Sequence, residues 1–90
     1  MRKFILEISK LCKKYNIISI PEQYKKNSYF IHLRVRGKKI SKYYCAASSS
    51  VFFSRYFIAR TNARPLIKTN SKKQFLQILK RFLAKNYKRI

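Results

Sequence analysis

Twenty-three Lys and Arg residues face only two acids, Glu7 and Glu22, in a chain of 90 residues, giving a formal net charge of +21. This imbalance constrains any fold the chain adopts. At most two of the cations can take a side-chain carboxylate as partner. Each helix or strand must therefore find an uncharged face to bury and send its Lys and Arg outward, with almost no opposite charge to hold them. Self-repulsion works against compaction, so the isolated chain is expected to be weakly stable at low salt and to gain stability from a polyanion. A disordered basic tail does not fit the remaining composition. The chain is 47% apolar and 16% aromatic, with one Gly and two Pro, which is well above the hydrophobicity of disordered segments. Ninety residues make one domain, 1–90, with a modest core and a basic C-terminal tail.

Periodicity divides the chain into elements. Phe4, Ile5, Ile8, Leu11, Cys12 and Tyr15 recur at three- and four-residue spacing, which predicts a helix over 2–15 with Asn16 as a left-handed cap. Ile17, Ile18 and Ile20 form a short extended segment ended by Pro21, and 21–28 reads as a loop. Tyr29, Ile31, Leu33 and Val35 alternate with Phe30, His32, Arg34 and Arg36, the period of a half-buried strand. The only glycine follows. A type II′ turn at Gly37-Lys38 makes 29–46 a hairpin that pairs Val35 with Ile40, Leu33 with Lys42 and Ile31 with Tyr44. Its opposite face then carries His32, Arg34 and Tyr43. Ala46 to Ser50 reads as a small-residue bridge, 51–60 as a third strand or a short helix, and 61–70 as a loop. Ser71-Lys72-Lys73-Gln74 fits a capping box that opens a helix over 72–88, with Phe75, Leu76, Ile78, Leu79, Phe82 and Leu83 on its apolar stripe. The expected architecture is α+β: an N-terminal helix, an antiparallel sheet of about three strands, and a C-terminal helix packed on the sheet.

Catalysis is disfavoured by inventory. One His, no Asp and two separated Glu leave no material for a paired-carboxylate site, and no nucleophile motif surrounds His32 or either Cys. The chain is expected not to be an enzyme and to need no cofactor, metal or small-molecule substrate. Cys12 and Cys45 stand alone, without Cys-x-x-Cys spacing, and are expected to be buried free thiols. No apolar run approaches the roughly 20 residues that span a bilayer. Residues 2–15 have the form of a basic amphipathic presequence, but Glu7 and the low serine content assign them to the fold.

The basic clusters carry the functional signal. They are Arg34, Arg36, Lys38 and Lys39; Arg60 and Arg64; Lys72 and Lys73; and Lys85, Lys88 and Arg89. An ordinary soluble surface mixes both signs. Lys72 and Lys73 also open a helix, the unfavourable end for cations unless a phosphate sits there. Fifteen Lys against eight Arg favour phosphate neutralisation over base reading. Phe30, Tyr43, Tyr56 and Tyr87 are candidates for stacking on unpaired bases, with Tyr43 beside His32 the foremost. With about 6–10 phosphate contacts, binding should weaken roughly 10³- to 10⁵-fold between about 50 and 200 mM salt. The expected partner is RNA. A DNA-binding module and a membrane-active protein acting through helix 2–15 are the rival classes.

Taken whole, the chain resembles a small ribosomal protein: short, extremely basic and poor in acids. Lys, Ile, Asn, Tyr and Phe supply 45 of 90 residues, while Ala, Gly and Pro supply eight. The first group has AT-rich codons and the second GC-rich ones. Joined to the resemblance, this implies an organellar, mitochondrial ribosome, or a cytoplasmic one in an AT-rich organism. Ribosomal RNA and neighbouring ribosomal proteins would be the partners, with no membrane. A second resemblance is to the double-stranded-RNA-binding domain. It rests on helix–three strands–helix order, on Ser71-Lys72-Lys73 opening the last helix, and on Pro21-Glu22-Gln23-Tyr24 after the first. In that family the Ser-Lys-Lys motif faces phosphates across a groove. The family's Gly-Pro-x-His loop is missing, and Leu76 stands where a third Lys would.

Overall fold

The computed structural model describes residues 2–49, 54–60 and 65–88. The elements are α1 (Arg2–Lys13), β1 (Ile17–Lys25), β2 (Ser28–Val35), β3 (Tyr43–Ser49), β4 (Ser54–Arg60), β5 (Pro65–Thr69) and α2 (Lys72–Asn86). The class is α+β as expected, but the sheet has five strands rather than about three. They run as an antiparallel meander in the order β1-β2-β3-β4-β5.

Both helices cover one face of this sheet. On α1, Phe4, Ile8 and Cys12 are buried at four-residue intervals, so one stripe meets the sheet and the lysines stay outside. The helix ends at Lys13 rather than at the expected 15, and three i→i−3 bonds carry the chain on to Asn16, whose φ of 58° is the left-handed conformation expected of it. On α2, Phe75, Leu79, Phe82 and Leu83 are buried. These seven side chains join Ile17, Ile31, Leu33, Cys45, Ala47, Tyr56 and Ile58 of the sheet in one core. Phe4 meets Phe75 at 5.7 Å between ring centroids, and Leu11 and Lys14 share a groove with Leu76 and Lys80. The two helices therefore run in the same sense, with their N-termini at one end of the molecule. The Ser71 hydroxyl accepts from the Gln74 amide at 3.3 Å, which is half of the expected capping box. The reciprocal half differs: the Gln74 carbonyl oxygen accepts from the Thr69 hydroxyl at 2.7 Å, and Thr69 Oγ1 accepts from Ser71 N–H at 3.2 Å.

Several expectations are corrected. Residues 21–25 continue β1 instead of forming a loop. Pro21 is tolerated because β1 is an edge strand, where a missing N–H costs the ladder little. The hairpin to β2 turns at Lys26-Asn27, with Asn27 at φ 60°. Ala46 to Ser49 belong to β3, and 65–69 form β5 rather than part of a loop, whereas residues 54–60 form a strand, the alternative their aromatic and β-branched content favours over a short helix. The turn after β2 also differs. The Lys38 amide donates to Val35 O at 3.0 Å, so Arg36 and Gly37 are the central residues. Gly37, at φ 90°, holds the third turn position, where a left-handed residue is required. Residues 36–42 then make a long connection, and β3 pairs one residue away from the expected register. Leu33 lies opposite Tyr43, and Ile31 opposite Cys45.

Cys12 and Cys45 are both free and buried, as expected. Burial pushes the Cys12 thiol from 9.0 up to about 12, and holds Cys45 well above its ordinary value with the neighbouring Cys12 adding to the effect. Because the folded values are raised, the fold loses nothing below pH 9.0, the unfolded value. Stability is then lost as pH climbs through the folded value near 12. Denaturant titrations over that range should show a steady alkaline decline, and the decline should be shallower in Cys12→Ala. Identical slopes in the two proteins would show that the Cys12 thiol does not contribute.

Candidate nucleic-acid interface

The expected site residues separate into three places. The first is the end of the molecule where both helices finish. Asn16, just after α1, accepts from the Arg36 amide at 3.0 Å, which ties the start of the 36–42 connection to that end. Lys38, Lys39 and Lys42 line a groove of about 410 Å³ with Leu33, Val35, Ile40 and Tyr87, so the connection lies against the C-terminus of α2. Arg60 ends β4 directly across from Tyr43. Lys85 and Lys88 flank Tyr87 in the sequence. Arg36, Lys38, Lys39, Lys42, Arg60, Lys85 and Lys88 are all exposed. These seven cations, from the 36–42 connection, the end of β4 and the C-terminal end of α2, thus share one end, and no acid among the described residues joins them. Lys42 was not singled out in the sequence, where it reads as a paired strand position; only the lengthened connection frees it.

The second place is the opposite end. Lys72 and Lys73 open α2 and are exposed, beside the first turn of α1. Lys72 Nζ lies 5.8 Å from the centroid of the Phe4 ring, a cation–π contact. Neither helix has an acid in its first turn. A 15-residue helix is about 22 Å long, so these lysines form a separate cluster from the seven. Arg64 and Arg89 lie outside the described residues.

The third place is the sheet face turned away from the helices. Arg34 points there from β2, half-buried, with its Nε buried and lacking a hydrogen-bond partner. Glu22 is bonded to His32 on this face at 3.2 Å, so one of the two acids is engaged with the histidine. Tyr43 is not on this face. The one-residue change of register turns it toward the helices, where it meets Phe82 edge-on at 4.9 Å and Tyr87 at 6.5 Å. Tyr44 takes the position beside His32 instead. Of the other stacking candidates, Tyr56 is 1% exposed in the core, and Tyr87 is half-buried against Phe82. Burial raises the Tyr87 hydroxyl above its ordinary 10.0, with smaller contributions from Tyr43 and Cys12. Phe30 alone of the four lies on the open face. Tyr44 and Phe57 join it, and the sequence hid them because strand alternation does not say which of Tyr43/Tyr44 or Tyr56/Phe57 faces a helix.

Among the described residues, no helix is long and apolar enough to cross a membrane, and no group of three His, Cys, Asp or Glu could hold a metal ion. Compared with protein-family models, with curated proteins and with solved structures, the chain matches none.

Proposed function

We propose that this protein is a structural RNA-binding subunit of a ribonucleoprotein, with ribosomal RNA as partner, in an organellar, mitochondrial ribosome. One observation carries the reading: exposed cations stand at both ends of a well-cored domain, and along its helices and sheet, while almost no carboxylate exists to meet them. Seven at one end and the Lys72/Lys73 pair at the other leave positive charge at both poles of the helix pair. A phosphodiester backbone supplies the missing charge, and binding releases the counterions condensed on it. Lysines act there as point charges, consistent with a structural role rather than sequence reading. The apolar stripe of α1 supports this over a membrane-surface role, because Ile8 is fully buried and Leu11 packs on the core.

Crosslinking in the native host, followed by sequencing of the attached RNA and sedimentation of the protein, tests the proposal. Crosslinks to ribosomal RNA and co-migration with a ribosomal subunit are expected. Recovery of the protein free of polynucleotide would end the reading, and preferential capture of a defined duplex DNA would replace it.

A further inference from the structure

The uncovered sheet face is more than a second cationic surface. In register across the strands, Phe30 of β2, Ala46 of β3 and Phe57 of β4 form one row, continued by Lys68 on β5. His32, Tyr44 and Ala59 form the next row. The aromatic side chains touch one another. Tyr44 lies 5.7 Å from Phe30 and 6.2 Å from Phe57, both edge-on, and 6.3 Å from His32. At the β1 edge, Tyr24 stacks on Phe30 at 4.4 Å with 20° between the ring planes. None of these rings belongs to the helix-side core. Phe30, His32, Tyr44 and Phe57 are half-buried, and Tyr24 is 45% exposed. The near-parallel Tyr24–Phe30 pair offers an outer ring face on which a further flat group can continue the stack.

Position and charge identify the occupant. Arg34 and Lys68 border the aromatic cluster, and Arg55 lies opposite Ser48 on the same side. Glu22, the acid on this face, is already bonded to His32. An apolar protein surface would leave these cations desolvated. A single-stranded polynucleotide presents flat bases to the rings and phosphates to the cations at once, which is the combination that stacking platforms use. We propose that this face binds unpaired bases of single-stranded RNA, with Tyr44 at the centre of the platform and Tyr24, Phe30 and Phe57 around it. The inference rests on the RNA-binding reading and adds to it a second mode: the two poles hold phosphates, and the sheet holds bases.

The test uses the full chain with three probes: a uridine oligomer, its abasic counterpart of equal length and charge, and an RNA duplex of half that length, which carries the same number of phosphates. The native protein should bind the uridine oligomer between about fivefold and a hundredfold more tightly than the abasic strand, the range that stacking of one base provides. Tyr44→Leu keeps apolar bulk but removes the ring, and should lose most of that preference. Tyr44→Phe restores the ring and should restore it. Circular dichroism confirms that each variant is folded; should Tyr44→Leu fail to fold, Tyr24→Leu at the exposed edge gives the same comparison. Equal affinity of the native protein for the uridine and abasic strands would overturn the platform while leaving salt-dependent RNA binding intact. Weak, salt-insensitive binding of all three probes would overturn both readings. Concentration-dependent dimerisation that Tyr44→Leu abolishes would assign the face to a second copy of the chain and likewise overturn the proposal.

Discussion

Raising monovalent salt from about 50 to about 200 mM is expected to weaken RNA binding by roughly 10³- to 10⁴-fold. The figure follows from the cluster at the end where both helices finish. If its seven cations each neutralise one phosphate, log K falls with log salt at a slope of about −5 to −6, depending on whether the strand is single or double. A fourfold rise in salt is about 0.6 of a decade, which gives roughly three to four decades in affinity. Fluorescence anisotropy with a labelled RNA over a salt series measures the slope directly. Substituting Lys38 by Ala should lower it by about one and weaken binding to all sequences alike. A slope near zero would show that the cations are merely solvated and that binding, if any, has another origin.

Phe75→Ala is expected to destabilise the fold by about 3–5 kcal/mol, the usual cost of truncating a buried aromatic. Phe75 is 1% exposed, at the junction of both helices and β4. Its ring lies 5.7 Å from Phe4 and 6.0 Å from Tyr56, while Phe4 and Tyr56 meet edge-on at 5.1 Å. Removing it opens a cavity in a three-ring cluster that no neighbouring side chain can close without leaving its own contacts. Small domains have only about 5–15 kcal/mol in total, and this one works against a net charge of +21. Urea titration should find the variant largely unfolded at low salt and partly restored by RNA, because a ligand that binds only the folded state adds stability by mass action. Leu6→Ala, at a position 57% exposed, is the comparison and should change stability by no more than about 0.5 kcal/mol. A loss below about 1 kcal/mol for Phe75→Ala would mean that the three rings do not hold the helices to the sheet.

Much of the fold could be read before the structure. The helical stripes of α1 and α2 were legible because three- and four-residue spacing leaves one angular solution for the buried face. Ser71 and Asn16 marked their helix ends, as a side-chain acceptor and a tolerated left-handed residue respectively. The strands were less legible. Pro21 read as a stop, and only its place at a sheet edge makes it acceptable. The segment ending in Arg60 was undecided between helix and strand because its aromatic and β-branched residues have neither a clean two-residue period nor a clean helical one. The cations of the candidate interface were visible as charges, but their grouping was not: Arg60 and Lys85 are 25 positions apart in the sequence and reach the same end only through the meander.

By itself the sequence determined the charge, the shortage of carboxylates to meet it, and the identity of the helix stripes. Those properties are additive over residues or local to a turn of helix. The face on which each aromatic of β3 and β4 lies was decided only in three dimensions. Tyr43 and Tyr44 are chemically equivalent neighbours, and alternation fixes that they point opposite ways without saying which way either points. The length of the 36–42 connection and the packing of Cys45 into the core set the register of β3. That choice sent Tyr43 against Phe82 and left Tyr44 on the open sheet.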